Sequence, residues 1–395
     1  MPLRFLTAGE SHGPALTAIL EGIPAGLPLS PEHINPDLAR RQKGYGAGPR
    51  MKLEQDVVQI LGGVMDGVTI GSPIALRVEN LNHERWRGRE IDPFTTPRPG
   101  HVDLGAAIKY GYDDLRPGLE RASARETAVR VAVGAVCRHF LAQFGVQIGG
   151  YVRSLGEVQA DVDAIPISQR FATALENDVS CPDPAAVEPM RARVREIMLA
   201  RDTLGGIIEV VALGLPPGLG SHRQWDTRLE ARLGAAVLSI QAMKGVEFGD
   251  GFDNTRLPGT QVHDPILLEG ENLVRPTNRA GGLEGGITTG QPLVVRAAMK
   301  PIATTLTPQQ TVNLQTGTAV PTEYERSDFC PTPRGVVIVE AMVAFVLADA
   351  LLEKLGGDSL AEMLPRFATL RGARLADLQM EGTKRVWWGK ETENN

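Results

Sequence analysis

The chain has 395 residues, of which 42% are hydrophobic, 22% are charged and only 5% are aromatic, and its formal net charge is −6. These values are typical of a globular protein, long enough for two or three domains or for one large domain. The negative charge argues against nonspecific nucleic-acid binding, and three widely spaced cysteines, Cys137, Cys181 and Cys330, indicate neither a disulfide framework nor a metal site.

Short apolar stretches bounded by Gly or Pro alternate along the chain with longer stretches of helical periodicity. In chain order they predict a strand at 16–20, a helix at 31–41 begun by Ser30, strands at 57–61 and 74–78, a helix at 123–144 ended by Gly145, a charged and exposed helix at about 182–201, a strand at 207–213, a helix at 226–243, a strand at 293–297 and a helix at 335–355. We expect residues of about 156–205 to form a peripheral excursion, and the tail of about 386–395 to be frayed.

Segments rich in Gly, Arg and His are scattered over the whole chain, at 9–13, 41–50, 98–101, 121–127, 241–245, 281–304 and 326–328. This scatter favours a single α+β domain over residues 1–395, with one site assembled by distant segments. The N-terminus has no charged-then-apolar leader, and the chain has no run of 18 apolar residues. We therefore expect a cytoplasmic protein that does not bind membranes.

The first of these segments is Gly-Glu-Ser-His-Gly at 9–13. The flanking glycines allow a sharp turn and close approach of a ligand, and His12 can exchange a proton near neutral pH. A plain turn with a solvated histidine explains the segment equally well. Arg98-Pro99-Gly100-His101 places a second histidine behind a glycine, where His101 could instead be a buried or capping residue. Two such histidines can supply two separate proton transfers.

Two further segments combine arginine with features that bind anions. Residues 40–50 lead from a cationic helix end into a loop with Gly at every second position, next to Arg50; a solvated helix end is the alternative. In residues 121–127, Ser123 and Glu126 have capping-box spacing. Arg121 and Arg125 flank the same helix start, where cations are disfavoured unless an anion binds there.

The C-terminal segments carry glycines and paired charges. Residues 278–287 form a loop with two pairs of adjacent glycines ahead of a predicted strand. A hairpin or bulge would also explain these glycines. Lys300-Pro301-Ile302-Ala303-Thr304 follows that strand. Arg326 and Asp328 precede the last long helix, where a surface salt bridge is the simpler explanation.

Taken together, these segments resemble the chorismate synthase family. The resemblance is carried by Gly-Glu-Ser-His-Gly at 9–13, Arg-Gln-Lys-Gly-Tyr-Gly at 41–46, Arg-Pro-Gly-His at 98–101, Arg-Ala-Ser-Ala-Arg-Glu-Thr at 121–127, Gln-Ala-Met-Lys-Gly at 241–245, Ala-Gly-Gly-Leu-Glu-Gly-Gly at 280–286, Lys-Pro-Ile-Ala-Thr at 300–304 and Arg-Ser-Asp-Phe-Cys at 326–330. It runs in order from about residue 3 to 355.

The resemblance implies a homotetrameric enzyme with a β-α-β sandwich fold that uses reduced FMN (FMNH2). It implies loss of phosphate and a ring hydrogen from 5-enolpyruvylshikimate 3-phosphate by 1,4-anti elimination, giving chorismate. NADPH is implied as a candidate reductant. A Ser/His hydrolase and a noncatalytic anion- or flavin-binding protein are the alternatives. The first lacks a Gly-x-Ser-x-Gly elbow. The second gives His12, His101 and Asp328 no purpose.

The resemblance also assigns roles to individual residues. It makes His12, His101 and Asp328 catalytic, with His12 beside the phosphate, His101 beside the flavin, and Asp328 relaying the abstracted proton. The implied substrate-binding residues are Arg41, Arg50, Arg98, Ser123, Arg125 and Arg326. The implied FMN-binding residues are Arg121, Ala122, Ser123, Gln241, Ala242, Gly285, Lys300, Pro301, Ile302, Ala303, Thr304 and Arg326. NADPH is assigned to Arg41 and position 47.

The sequence departs from the family pattern at three places. Ala47 stands where the family often has arginine, which puts one anion contact and the NADPH contact in doubt. Leu119 and Glu120 stand where many members have glycines, and Ser327 stands where many have histidine. None of these departures removes a residue required for the elimination.

Overall fold

Two antiparallel sheets form the outer layers of the molecule. The computed structural model describes residues 2–47, 55–325, 327–378, 380 and 382–384. The first sheet has four strands in the order β1-β2-β6-β3, and the second has five in the order β10-β15-β9-β7-β8. Short two-stranded ribbons are formed by β4-β5, β11-β12, β13-β14 and β16-β17.

The strands are short and lie throughout the chain. Their bounds are β1 Arg4–Ala8, β2 Ala15–Glu21, β3 Val58–Gly62, β4 Val64–Met65, β5 Val68–Thr69, β6 Ile74–Glu79, β7 Gln147–Leu155, β8 Val158–Gln159, β9 Gly206–Leu213, β10 Met243–Phe248, β11 Leu267–Glu269, β12 Asn272–Val274, β13 Leu283–Glu284, β14 Ile287–Thr288, β15 Leu293–Met299, β16 Gln310–Asn313 and β17 Thr318–Pro321. All five predicted strands are present, as β2, β3, β6, β9 and β15. β7, the longest strand of the second sheet, was not predicted.

The α-helices differ widely in length. Their bounds are α1 Asn35–Arg41, α2 Asp103–Tyr110, α3 Arg116–Ala122, α4 Thr127–Ala142, α5 Ile167–Leu175, α6 Pro184–Leu199, α7 Leu229–Leu238, α8 Gly251–Asn254, α9 Gly259–Val262, α10 Thr332–Leu355 and α11 Leu360–Ala368. The helices predicted at 31–41, 182–201 and 335–355 correspond to α1 with a preceding 3-10 turn, to α6 and to α10.

Two predicted helices have wrong ends. Ser123 is extended (φ −62°, ψ 140°) between α3 and a 3-10 turn, so α4 begins only at Thr127. Ser123 does cap that turn by accepting from Arg125 N at 3.2 Å. The predicted capping box is not formed, since the Glu126 carboxylate binds Thr7 and Arg130 instead. The helix predicted at 226–243 ends at Leu238, because the residues from Met243 join the second sheet as β10.

Helices α4 and α10 form the middle of the molecule. α4 packs on β2 and β6 of the first sheet, α10 packs on β7 and β9 of the second, and the two helices pack on each other. The layers are therefore sheet, helix pair and sheet, which confirms the α+β class and the β-α-β sandwich. α10 is long and apolar enough to cross a membrane, but 83% of its most apolar window is buried inside the protein, as in a core helix.

The segment of about 156–205 contains β8, α5 and α6. α6 buries Ala186, Met190 and Val194 and exposes most of its other residues. The ring of Phe171 in α5 covers Gly149 of β7, so this segment closes one end of the second sheet. The predicted frayed tail lies outside the described residues.

Candidate functional site

His12 lies in the turn between β1 and β2 and is bound to the end of α3. Its backbone N–H donates to Glu120 Oε2 at 2.7 Å, and its Nδ1 donates to Glu120 Oε1 at 2.6 Å. Trp86 lies against the imidazole with ring centroids 4.7 Å apart, and Ser123 Oγ donates to Ser11 Oγ at 3.1 Å. Burial alone would raise the pKa of Glu120, but hydrogen bonds from the side chain and backbone of His12 outweigh it and lower the pKa. The carboxylate is therefore held in its charged, accepting form.

Below this turn, Asp56 links two buried arginines. Its carboxylate accepts from Arg41 Nη1 at 3.1 Å and from Arg125 Nη1 at 2.5 Å, and all three residues are at most 5% exposed. Arg41 also donates to Thr127 Oγ1, and Arg125 donates to Asn80 Oδ1. These bonds fix the positions of both guanidinium groups. Burial lowers the pKa of Arg41 to about 10.

Arg334, which the sequence interpretation missed, lies beside this pair. It is in the first turn of α10 and donates from Nη1 to Asp328 Oδ2 at 2.6 Å. Its Nε and Nη2 are buried and have no hydrogen-bond partner among the residues that the structure describes. The charges of Arg334 and Asp328 both act on Arg41. A cation at a helix start is disfavoured unless an anion binds there. The same signal singled out Arg121 and Arg125 from the sequence, and it could have identified Arg334 as well.

His101 lies just before α2, in a second cluster. Its Nδ1 donates to Asp103 Oδ1 at 2.5 Å, and Asp103, which is fully buried, also accepts from Arg98 Nε at 2.8 Å. Arg98 Nη1 reaches Thr304 Oγ1 at 3.3 Å. Burial alone would raise the pKa of Asp103, but hydrogen bonds from His101 and Arg98 outweigh it and hold the pKa well below its usual range.

The segment 300–304 joins this cluster to its surroundings. Lys300 Nζ donates to Gly100 O at 3.0 Å, and its backbone N donates to Ala242 O at the same distance. Ser327 Oγ donates to Thr304 O at 3.0 Å, and Gln241 Nε2 donates to Glu126 Oε2 at 3.3 Å. Burial and the nearby charge of Lys244 lower the pKa of Lys300.

These contacts bring most of the predicted site residues together. The His12 turn, the 121–125 segment and the Arg41–Arg125 pair form one group. The His101 loop, the 300–304 segment and Ala242 form a second, and residues 327–328 lead from it to Arg334. Gln241 provides another link, through Glu126. Gly285 stands apart, since its turn packs on Ser221 and Arg228 at the start of α7. Arg50 and Arg326 lie outside the described residues.

The predicted cation Arg121 is already hydrogen-bonded within the protein, and Glu120 has a role that the sequence did not indicate. Arg121 is about half exposed and donates to Thr7 Oγ1 at 2.8 Å. Glu120 is the residue that holds His12, although the sequence interpretation noted it only as a departure from glycine. Asp56 and Asp103 were not predicted either, because nothing near them in sequence marks a buried carboxylate.

The residues around 241–242 and 300–304 fit FMN, which carries N–H and ribityl O–H donors as well as a phosphate. Within the described part of the chain, Gln241 Oε1 is a buried acceptor with no hydrogen-bond partner, so it suits a donor of the ligand. Ala242 has a left-handed backbone (φ 67°), which a residue other than glycine rarely adopts without a local reason. Lys300 and the hydroxyl group of Thr304 add a cation and a donor. Among the described residues, no group of three or more His, Cys, Asp or Glu side chains could hold a metal ion.

The chain is similar to known proteins over nearly its whole length. A family model described as "Chorismate synthase" matches residues 3–352. A chorismate synthase of Trichlorobacter lovleyi is 53% identical over 91% of this chain and 96% of its own, and one of Aquifex aeolicus is 51% identical over 92% and 96%. A solved crystal structure of a chorismate synthase is 45% identical, covers 93% of this chain and 97% of its own, and superposes with a TM-score of 0.77.

Proposed function

The chain belongs to the chorismate synthase family, and we propose that the joined segments described above form its active site, with His12, His101 and Asp328 as the proton-transferring groups. As a member of that family, the protein is a lyase that converts 5-enolpyruvylshikimate 3-phosphate to chorismate and phosphate. This is the last common step of aromatic amino acid biosynthesis. The observation that carries the proposed site is that each histidine is held at Nδ1 by a buried or half-buried carboxylate.

The reaction is a 1,4-anti elimination, in which a ring C–H bond and the C–O bond to phosphate break and a second ring double bond forms. Because Nδ1 of His12 is bound to Glu120, its Nε2 is the ring atom left to exchange a proton. We assign this atom to protonation of the departing phosphate, from the imidazolium form in which both ring nitrogens carry a proton. His101 is held in the same way by Asp103, and we assign its Nε2 to the flavin side of the site.

The substrate carries two carboxylates and a phosphate, so its site must concentrate positive charge. Among the described residues, the guanidinium groups of Arg41, Arg125 and Arg334 face the carboxylates of Asp56 and Asp328. These guanidinium groups concentrate positive charge in one buried cluster. Such a cluster suits an oxyanion, and its low dielectric strengthens each charge-assisted hydrogen bond. Arg50, Arg98, Ser123 and Arg326 complete the proposed set of substrate-binding residues.

The family requires reduced FMN. We propose that it is held by Arg121–Ser123, Gln241, Ala242, Gly285, Lys300–Thr304 and Arg326. The unpaired acceptor of Gln241 and the cation of Lys300 support this assignment. When bound, reduced FMN supplies an electron transiently and takes up the proton that leaves the ring. Asp328 accepts a hydrogen bond from Arg334 and follows Ser327, which contacts Thr304. We assign Asp328 to relaying that proton.

We also propose NADPH as a reductant, at Arg41 and position 47. Arg41 is 5% exposed and donates to Asp56, Thr127 and Ala124 O, so little of it faces outward. Ala47 carries no charge. Formation of chorismate with NADPH and FMN under air, without another reductant, would show that the chain reduces its own flavin. Activity only with dithionite or a separate reductase would show that it does not.

We propose that the protein is a homotetramer and is cytoplasmic, as the family resemblance implies. An apolar stripe crosses the outer face of the first sheet and supports contact with a second copy. Leu6 and Ile19 are paired across β1 and β2, and Leu6, Ile19 and Leu61 are 76%, 44% and 62% exposed. Exposed apolar stripes on a sheet face are typical of subunit interfaces.

The turnover test is anaerobic incubation of the protein with the substrate and chemically reduced FMN. We expect chorismate and phosphate in equal amounts, and no net oxidation of the flavin. Flavin retention without turnover would favour a noncatalytic binding protein. Ester cleavage without flavin would favour a hydrolase.

A further inference from the structure

The contact between His12 and the end of α3 has a consequence for catalysis. We propose that Glu120 is a positioning residue that fixes both the orientation and the tautomer of His12, so that Nε2 is the atom presented for proton transfer. This inference rests on the proposed role of His12 as a proton donor. It concerns a residue that does not itself touch the reacting atoms.

The carboxylate of Glu120 binds His12 at two points. Oε2 accepts from the backbone N–H at 2.7 Å, and Oε1 accepts from Nδ1 at 2.6 Å. An ionised carboxylate can only accept, so Nδ1 must carry the proton. The bond to the backbone fixes the turn, and the bond to the ring fixes the imidazole within that turn. The Glu120 side chain is 14% exposed and that of His12 is 24% exposed, so water competes weakly for either bond.

The local helix does not explain a carboxylate at residue 120. Glu120 lies in the last turn of α3, where the helix dipole disfavours negative charge. The charge of Arg116 in the same helix and the bonds from His12 compensate for it. The other neighbours of His12 act on different atoms. Trp86 lies against the ring, and His83 Nδ1 donates to the His12 carbonyl oxygen at 2.9 Å.

An independent copy of the arrangement occurs at His101. Asp103 accepts from Nδ1 of that ring at 2.5 Å, and it belongs to a different loop and a different helix. Both imidazoles of the proposed site are thus held at Nδ1, which leaves Nε2 as the exchanging atom of each ring; in His101 that atom also lies 3.4 Å from Arg98 Nη2. Carboxylates that hold histidines in this way commonly set the tautomer and orientation of the ring.

The test compares Glu120→Ala and Glu120→Gln with the wild-type protein. Glu84→Gln is the matched control, because Glu84 is an exposed carboxylate (73% of its side chain) in the same turn as His83 and pairs only loosely with Arg87, at 3.7 Å. Turnover with reduced FMN gives kcat and KM. Nitrogen-15 spectra of histidine-labelled protein, with the His12 signals assigned from a His12→Gln variant, give the tautomer directly.

We expect Glu120→Ala to lower kcat by about 10- to 100-fold while KM changes by less than about threefold, as for other partners that orient a functional histidine. Glu120→Gln retains an oxygen acceptor, so its kcat should lie between those of the wild type and Glu120→Ala. For the neutral ring, the spectra should show Nδ1 protonated in the wild type and a shift towards Nε2 protonation in Glu120→Ala. Glu84→Gln should match the wild type in both measurements.

Three outcomes would overturn the inference: wild-type kcat in both Glu120 variants, a raised KM at unchanged kcat, or a His12 tautomer that does not respond to Glu120→Ala. Absence of chorismate formation by the wild type would instead count against the proposed function. The tautomer measurement would still decide the role of Glu120 in that case, because it needs neither substrate nor flavin.

Discussion

At the scale of single residues, the site is built from carboxylates that hold cations and imidazoles in place. Glu120, Asp103 and Asp56 each bind groups to which we assign a role in the reaction, and none of the three carboxylates contacts the reacting atoms in the proposed roles. Holding groups in advance lowers the cost of arranging them when the substrate binds. The catalytic power of the histidines should therefore depend on their partners as well as on the imidazoles.

Replacement of either histidine tests the acid–base assignment. His12→Ala and His101→Ala should each lower turnover by about 100-fold or more, as is usual for general acid–base groups. FMN affinity should fall much less than the rate, because the proposed flavin contacts lie in other segments. Stopped-flow turnover and flavin titration measure the two quantities. Unchanged turnover in both variants would contradict the roles given to them.

Asp103 should make folding stability depend on pH. Its pKa is lowered on folding, so its charged form stabilises the protein above the ordinary value of about 3.9, and this stabilisation is lost as the pH falls below it. Asp103→Asn should lower the free energy of unfolding by about 3 kcal/mol at pH 7, because it breaks a buried pair with Arg98. The difference in free energy of unfolding between Asp103→Asn and the wild type should be smaller at pH 3 than at pH 7.

Urea unfolding at pH 7, 5 and 3 measures this dependence. Asp113→Asn is the control, since Asp113 is an exposed carboxylate just after α2. It should unfold like the wild type at each pH. A difference between wild type and Asp103→Asn that stays constant from pH 7 to pH 3 would show that the Asp103 charge does not contribute in the expected way.

The groups that we propose to contact ligands were easier to single out from the sequence than the groups that hold them. His12, His101 and Arg125 lie in glycine- or arginine-rich segments, whose chemistry can be inferred from the sequence without knowledge of the fold. Asp56 and Asp103 acquire their roles only when the chain brings arginines 69 and 5 residues away against them. Neither the pairing over 69 residues nor the burial of the short Arg98–Asp103 pair has a local signal in the sequence. Arg334 is the exception, since its place at a helix start was visible in the sequence.

At the scale of elements, the crossing of α4 and α10 sets the spacing of the two sheets. Gly134 of α4 lies against Ala341 of α10, and a Cβ added at Gly134 would lie 2.2 Å from the Ala341 Cβ and 2.3 Å from its Cα. Contact with a Cα cannot be relieved by a change of rotamer. The absence of a side chain at residue 134 therefore allows the two helices to pack this closely.

Gly134→Ala tests this packing. It should lower the free energy of unfolding by about 3 kcal/mol, because two buried helices must move apart to admit one methyl group. Gly234→Ala is the matched control, since in the described part of the chain no heavy atom would lie within 4 Å of its Cβ in α7. That variant should gain up to about 1 kcal/mol from helix propensity. Equal stability of the two variants in urea would contradict the close crossing.

The elements that the sequence predicted are those with unbroken periodicity. α10 and the strands β2, β3, β6, β9 and β15 are mostly apolar stretches, and they were predicted. β7 was missed because Gly149 and Gly150 interrupt its pattern. The structure explains both glycines, since Phe171 covers the first and Val210 and Val336 crowd the second. The false continuation of α7 to residue 243 arose because β10 begins with residues that also suit a helix.

At the scale of the whole molecule, the proposed assembly depends on the outer face of the first sheet. Leu6→Glu places a charge on the most exposed residue of the apolar stripe, and Leu199→Glu places one on an equally exposed leucine (80%) at the end of α6. We expect the wild type and Leu199→Glu to sediment at about four times the monomer mass, and Leu6→Glu to sediment as smaller species. A monomeric wild type would contradict the tetramer, and an intact Leu6→Glu tetramer would place its interfaces elsewhere.

The central claim is that distant segments of an acidic chain form one cationic site between two imidazoles. A crystal structure of the protein with FMN and 5-enolpyruvylshikimate 3-phosphate tests it most directly. We predict that the substrate lies between His12 and His101, with its oxyanions bound by Arg41 and Arg125 and its ring on the flavin. A substrate bound away from either imidazole, or imidazoles that face separate surfaces, would contradict the account.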